Sequence, residues 1–203
     1  MSEEIKKENE CPICQGENCE CAEGEIAPWL EVAKKEYEKY KGKKETDKEL
    51  KEQIEQKYFP AAKWQGESHK EAWCAAFISY CMKESKGFVN SSDPSCGGLD
   101  WLPGRRADFK KRGWLEGEET EKFVGAIAVF KRNKGYNHVA IIVGKDTKGN
   151  YVFLGGNQNN EINQTSYSES RVLKYTKPKD YTVKEYEKVF PIIKDPKGAG
   201  SVQ

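Results

Sequence analysis

Two runs of strand-forming residues, closely spaced, constrain this chain more than any other feature. His138-Val139-Ala140-Ile141-Ile142-Val143-Gly144 and Tyr151-Val152-Phe153-Leu154-Gly155-Gly156-Asn157 are rich in β-branched and aromatic side chains, and only Lys145-Asp146-Thr147-Lys148-Gly149-Asn150 lies between them. Such a pair, joined by turn-forming residues, reads as a β-hairpin. A turn centred between Thr147 and Lys148 pairs Val143 with Val152, Ile141 with Leu154 and His138 with Asn157. Opposed residues share a sheet face with Cβ atoms roughly 4.5–5.5 Å apart. At that separation the Asn157 carboxamide oxygen accepts from one ring nitrogen of His138, which selects a tautomer and leaves the other nitrogen to take a proton. Gln158 then points to the opposite face. A slip of one residue moves every side chain across the sheet, so the pairing requires a symmetric turn.

Upstream, Ala72-Trp73-Cys74-Ala75-Ala76-Phe77-Ile78-Ser79-Tyr80-Cys81-Met82 is too apolar for a surface helix and reads as a central one buried against the sheet. A cysteine near the start of such a helix feels its positive end. With an imidazolium beside it, the thiol falls from a free pKa of about 8.5 into a range of roughly 3.5–7.5. Ser68-His69-Lys70-Glu71 opposes this, because it reads as a capping box that starts the helix near His69 and places Cys74 in the second turn. Activation would then fall mainly to His138.

Taken singly, these residues carry little: a cysteine in an apolar helix is ordinarily a small buried hydrophobe, and a histidine at a strand start is ordinarily structural. The combination carries more, because the chain has two histidines and one of them opposes an asparagine downstream of a helical cysteine. The other, His69, lies in a polar stretch and reads as solvated or as a helix-start residue.

In order along the chain, Pro28-Trp29-Leu30-Glu31-Val32-Ala33, Ala72-Trp73-Cys74-Ala75-Ala76-Phe77, Gly125-Ala126-Ile127-Ala128-Val129-Phe130, Asn137-His138-Val139-Ala140 and Leu154-Gly155-Gly156-Asn157-Gln158 resemble the landmarks of the CHAP and NlpC-type papain-like amidohydrolases. The resemblance covers residues 26–177. It implies Cys74 as nucleophile, His138 as general base and Asn157 as the polar orienting residue, with peptidoglycan as substrate. The amide cut would be a peptide stem bond or the link between muramic acid and L-Ala. Some members carry an acidic residue two places before the asparagine, where this chain has Gly155. The implied chemistry is attack by the Cys74 thiolate, an oxyanion held by the backbone N–H of Cys74, protonation of the leaving amine by His138 and hydrolysis of the thioester. No cofactor is needed for catalysis. A second class stays open at this point, a non-catalytic module on the same scaffold that binds wall fragments or a secretion partner.

Composition narrows the partners. A 203-residue chain with 36% hydrophobic residues can bury one sizeable core, while 33% charged residues and a mean hydropathy of -0.88 indicate a strongly hydrated surface. A net charge of +1 without a basic stripe gives no case for nucleic acid. Lys131-Arg132-Asn133-Lys134 reads as a solvated loop that can touch an anionic wall polymer. No apolar stretch approaches a membrane span, and Met1-Ser2-Glu3-Glu4-Ile5-Lys6-Lys7 lacks the apolar region of a Sec signal. The expectation is synthesis in the cytoplasm and action on the wall after lysis or dedicated secretion. A phage lysin or a type VI-type antibacterial effector fits, with a secretion-machine component or a cognate immunity protein as partner.

The expected fold is α+β, a papain-like domain with N-terminal helices packed on an antiparallel meander. Residues 1–25 form a Cys-rich appendage, 26–177 the domain, and 178–203 a charged extension whose end is expected to be disordered. Helices are expected at Pro28 to Lys41, with Leu30, Ala33, Tyr37 and Tyr40 on one side, and at Asp47 to Tyr58, with Leu50, Ile54 and Tyr58 at helical spacing. A loop from Gly87 to Gly104 and a short helix from Arg105 to Arg112 follow. Trp101 and Trp114 bracket that helix as packing residues, or as an aromatic wall of the groove. Strands are expected at Gly125–Lys131, His138–Gly144, Tyr151–Gly156, Glu161–Thr165 and Arg171–Tyr175.

Four of the seven cysteines, Cys11, Cys14, Cys19 and Cys21, fall within eleven residues. Cys11-Pro12-Ile13-Cys14 is a good zinc half-site; Cys19-Glu20-Cys21 follows at far less than the usual ribbon spacing. Four thiolates can hold a structural zinc without a large core. Free thiols, or disulfides formed after release, are the alternatives. Cys81 and Cys96 read as packing residues, and Cys81 lies about 10.5 Å from Cys74 along a helix, too far for a disulfide. Protein purified without chelator is expected to retain stoichiometric zinc through residues 1–25, and elemental analysis showing no metal would rule out that site.

Overall fold

The computed structural model describes residues 26–64, 66–85, 101–103, 113–131 and 137–197. The cysteines at 11, 14, 19, 21 and 96, the 87–100 part of the expected loop and the expected 105–112 helix lie outside these residues. Helix α1 spans Pro28–Tyr40, with Pro28 at a first-turn position where its missing N–H costs nothing. Its buried face carries Trp29, Leu30, Ala33 and Tyr40, and Tyr37 is half-buried. Helix α2 (Lys48–Gln53) runs into a π-helical turn, Ile54–Tyr58, and then into the short α3 (Phe59–Ala61). Phe59 N–H donates to the Ile54 carbonyl, and Pro60, which has no N–H to give, follows directly. Leu50, Ile54 and Tyr58 are wholly buried, as their spacing predicts, and each contributes roughly 1.5–3 kcal/mol through burial.

Helix α4 spans Cys74–Glu84 and packs against α1, α3 and two sheet strands. The sheet has six strands, β1 (Gly117–Glu119), β2 (Ile127–Phe130), β3 (His138–Lys145), β4 (Tyr151–Gly155), β5 (Asn163–Ser166) and β6 (Val172–Pro178), in the order β1-β6-β2-β3-β4-β5. Every strand pair in it is antiparallel. The α+β class therefore holds, but the sheet is not a simple meander. β2 to β5 are consecutive neighbours, and β6 returns to the far side of β2. β1 was not legible in the sequence: Gly-Glu-Glu has no strand signal, and its pairing with β6 supplies the order.

Residues 178–197 lie against this core. The Tyr181 ring packs edge-on against Trp29 and stacks with Phe123. Lys145 N–H donates to the Pro191 carbonyl, and Thr165 bridges to Lys197. Among the described residues, no helix is long and apolar enough to cross a membrane.

The β3–β4 hairpin departs from the symmetric turn in two places. Gly149 N–H donates to the Asp146 carbonyl, which centres the turn on Thr147 and Lys148 as expected. But Asp146 pairs with Asn150, with Gly149 at φ +85°, so the loop holds three residues and pairs Lys145 with Tyr151 and Gly144 with Val152. An extra residue on β3 between Ile142 and Gly144 then shifts the register back, and Ile141 pairs with Leu154. The expected Val143–Val152 pair is thus replaced by Gly144–Val152, while Ile141–Leu154 stands because two one-residue offsets cancel.

The Asp146 carboxylate holds the turn, accepting from the Asn150 side chain (3.0 Å), the backbone N–H groups of Asn150 (2.8 Å) and Lys148 (2.9 Å), and the Ser166 hydroxyl (2.9 Å). The Asn150 side chain leads in lowering its pKa from 3.8 to about 2. A depressed carboxylate stabilises the fold above its unfolded pKa and ceases to do so as pH falls through the folded value. The pH-dependent difference in stability between the protein and Asp146→Asn is therefore expected to be constant above about pH 4 and to shrink between about pH 4 and pH 2. Urea titrations at several pH values read this, and a difference that persists unchanged at pH 2 would refute it.

Candidate active site

The nucleophile candidate opens α4. Trp73 is the N-cap residue at φ -112°, Cys74 is the first helical residue, and Phe77 N–H donates to the Trp73 carbonyl. The expected capping box does not start the helix. Ser68 instead closes a separate turn, its carbonyl accepting from Glu71 N–H at 2.9 Å and its hydroxyl from Lys70 N–H at 3.3 Å. Cys74 therefore stands in the first turn, where the helix end favours a negative charge. It is buried at 1% exposure.

His69 also differs from its expected solvated or helix-start role. It is buried, its backbone N–H donates to Glu55 Oε1, and its Nδ1 lies 2.7 Å from the same oxygen. The His69 side chain leads in holding the Glu55 carboxyl below its ordinary range. The pair anchors the segment entering α4 to the helical stretch around Ile54. A second anchor acts on the N-cap itself, where Trp73 Nε1 donates to the buried Glu45 carboxylate at 2.9 Å.

Helix α4 meets the sheet where β4 ends. A Cβ at Gly156 would come within 2.5 Å of the Trp73 ring and 2.7 Å of Phe77 Cβ, so only a residue without a side chain fits there. One turn of α4, bearing Cys74, thus lies against the loop after Gly155. His138 is the first residue of β3, fully buried, directly opposite Phe130 on β2 and near the Tyr167 ring (centroids 6.0 Å apart). Cys74, His138 and Asn157 therefore gather at one end of the sheet.

The contact to His138 does not come from the expected residue. Gln158 Oε1 lies 3.3 Å from His138 Nε2, so Gln158 does not point to the opposite face. β4 ends at Gly155 and Asn157 adopts φ +56°, so strand alternation no longer decides which side chain faces His138. Asn159 and Asn160 are also left-handed. Asparagine tolerates that conformation, and a cluster of asparagines after a Gly-Gly pair was the available signal that the strand stops.

Gln158 is itself tightly held. Its Nε2 donates to the carbonyl oxygens of Asn163 (2.5 Å) and Phe153 (3.3 Å), and lies 3.1 Å from Asn163 Oδ1. Asn163 Nδ2 returns a bond to the Gln158 carbonyl at 2.5 Å, and Thr165 Oγ1 donates to Asn163 Oδ1 at 2.6 Å. All four side chains, His138, Gln158, Asn163 and Thr165, are at most 2% exposed. The outer side of the same loop is clamped: Glu45 N–H donates to the Asn160 carbonyl, and buried Glu161 pairs with Lys44 and Lys197. Burial raises the Glu161 carboxyl, and hydrogen bonds from the two lysines more than offset it, leaving it below its ordinary range.

Trp101 and Trp114 are both buried and meet edge-to-face at 5.0 Å, which is core packing. Cys74 and Cys81 are both buried, and neither is in a disulfide. Among the described residues no cluster of histidine, cysteine or carboxylate side chains is arranged to hold a metal.

Comparison with known proteins places the site in context. Residues 64–157 match the family model of the CHAP domain. No curated protein and no solved structure shows a significant match.

The contact at Gly156 makes a direct test of the geometry. Gly156→Ala is expected to cost roughly 1–3 kcal/mol through overpacking against Trp73 and Phe77, read as a lowered Tm, and to slow alkylation of Cys74. An unchanged Tm would show that α4 does not rest there.

Proposed function

Since residues 64–157 belong to the CHAP family, we propose that this protein hydrolyses an amide bond of peptidoglycan through a Cys74 thioester. CHAP domains are in general cysteine- and histidine-dependent amidases or peptidases of the cell wall. What supports the reading in this chain is that Cys74 opens α4, whose first turn packs on Gly156, and that Gln158, two residues further on, contacts His138 at the start of β3.

The Cys74 thiolate attacks the amide carbonyl carbon, and the carbonyl oxygen takes the negative charge. The Cys74 backbone N–H, at a helix end and outside the i→i−4 ladder, helps to stabilise that oxyanion. Imidazolium His138 then protonates the leaving nitrogen, the C–N bond breaks, and an amine departs from a Cys74 thioester. Neutral His138 takes a proton from water as the oxygen attacks the thioester carbonyl. Collapse releases a carboxylic acid and regenerates the thiolate–imidazolium pair. Asn157 serves this site through its left-handed backbone, which turns the chain after β4. A stem peptide bond and the bond between muramic acid and L-Ala are both amides this chemistry can cut. The wall substrate also motivates the biological setting proposed here, a phage lysin or an antibacterial effector with a secretion component or immunity protein as partner.

Mass analysis of purified peptidoglycan after digestion is the deciding measurement, because a new amine or carboxyl terminus identifies both activity and bond. Cys74→Ala and Cys74→Ser are expected to lose turnover by about 10³-fold or more with the fold intact. Retained lysis by folded Cys74→Ala would overturn the mechanism.

The pH profile should be bell-shaped with limits belonging to the Cys74–His138 pair, thiolate formation on the acid side and loss of the imidazolium proton on the alkaline side. Alkylation of Cys74 is accordingly expected to be fast already below neutral pH. A single midpoint near a free thiol's, about 8.5, would instead support the non-catalytic binding module.

A further inference from the structure

The hydrogen-bond pattern around Gln158 determines more than a contact. A glutamine amide has one acceptor end and one donor end, and which is which follows from its partners. Gln158 Nε2 faces the carbonyl oxygens of Asn163 and Phe153, which can only accept. Rotating the amide would set its oxygen against both of them inside a buried pocket, acceptor facing acceptor, and lose both hydrogen bonds. The end facing His138 is therefore the oxygen. An oxygen acceptor requires a proton on His138 Nε2. In the neutral ring that proton leaves Nδ1 as the basic nitrogen, and in the imidazolium the Nε2 bond persists while Nδ1 carries the exchangeable proton.

Asn163 is polarised in the same way. Its Oδ1 accepts from the Thr165 hydroxyl, and its Nδ2 donates to the Gln158 carbonyl, so neither amide can turn without breaking bonds at both ends. Gln158 follows the left-handed Asn157, whereas Asn163 and Thr165 are on β5, where Asn163 pairs with Gly155 and Thr165 with Phe153. The strand that orients the amide is thus two strands removed from the histidine it serves.

We propose that Gln158, locked by Asn163 and Thr165, is the positioning residue that sets His138 in the Nε2-protonated tautomer, and that Nδ1 is the atom exchanging protons with Cys74 and substrate. This deepens the hydrolase reading and rests on it for its catalytic meaning; the tautomer itself does not depend on it. The role that sequence pairing allotted to the Asn157 side chain passes to Gln158.

Nitrogen-15 NMR of histidine-labelled protein tests this without any substrate. Cys74→Ala removes the ion-pair partner, so that His138 can be read in its neutral form, and His69→Gln in that background identifies which of the two histidines is which. The expected result is a pyrrole-type Nε2 bearing a slowly exchanging proton, and a pyridine-type Nδ1, at His138. Gln158→Leu should abolish the protection of that proton, Asn163→Ala should weaken it, and Asn157→Ala should leave it in place. In the otherwise native protein Gln158→Leu should lower kcat at least about tenfold with little change in KM, part of the roughly 10²–10⁴ that positioned proton transfer supplies. A neutral His138 protonated on Nδ1 would overturn the proposal even if Gln158→Leu failed to fold. So would a tautomer that responds to Asn157→Ala and not to Gln158→Leu. Absence of any wall product would count against the hydrolase reading and leave the tautomer result standing.

Discussion

The register of the β3–β4 hairpin is the constraint on which the site depends, and one carboxylate sets it. Asp146 gathers donors from the Lys148 and Asn150 backbones and from the Asn150 and Ser166 side chains, which fixes a three-residue loop and couples it to β5. That loop shifts the pairing by one residue, and the extra residue on β3 between Ile142 and Gly144 shifts it back. The bulge lies where the C-terminal segment closes on the hairpin: a Cβ at Gly144 would meet the Pro191 carbonyl oxygen at 2.3 Å. Glycine there permits the close approach, and Lys145 exchanges backbone hydrogen bonds with Pro191 and Ile193 beside it.

The polar site is buried within an apolar frame, and each buried polar group must therefore find a partner nearby. On one side the partners are Gln158, Asn163 and Thr165. On the other they are Glu45, which accepts from Trp73, and Glu55, which holds His69. The two sets differ in kind. The first determines which way a histidine ring is protonated, and the second determines where the helix that carries Cys74 begins. Both reach across elements of the fold, one from β5 to the start of β3 and the other from the turn before α2 and the π-helical turn to the segment entering α4. Glu161, paired with Lys44 and Lys197, joins them by tying the site loop to the turn before α2 and to the C-terminal segment.

Much of the fold was legible because it follows from local periodicity. Leu50, Ile54 and Tyr58 repeat at helical spacing and are buried, the apolar run around Cys74 is a central helix, and the β-branched runs are β3 and β4. The α+β class and the CHAP likeness rest on such runs and on short motifs, and neither needs a correct register. What escaped was whatever one long-range contact decides. β1 exists because β6 returns to pair with it, and buried His69, in a turn ahead of α4, is held by Glu55 from the π-helical turn.

The sequence by itself determined the residue types of the site, the two histidines of which one could serve, and the helix and hairpin that carry Cys74 and His138. Only the tertiary structure decided that Cys74 is the first residue of its helix and that Gln158 is the residue facing His138. The physical reason is that period-two alternation holds only while the chain stays in a strand. One left-handed residue, Asn157, exchanges which neighbour points inward, and the loop that contains it is held by the bond from Gln158 to Asn163 and the bond from Glu45 to Asn160, the second of which joins segments that no local pattern brings together.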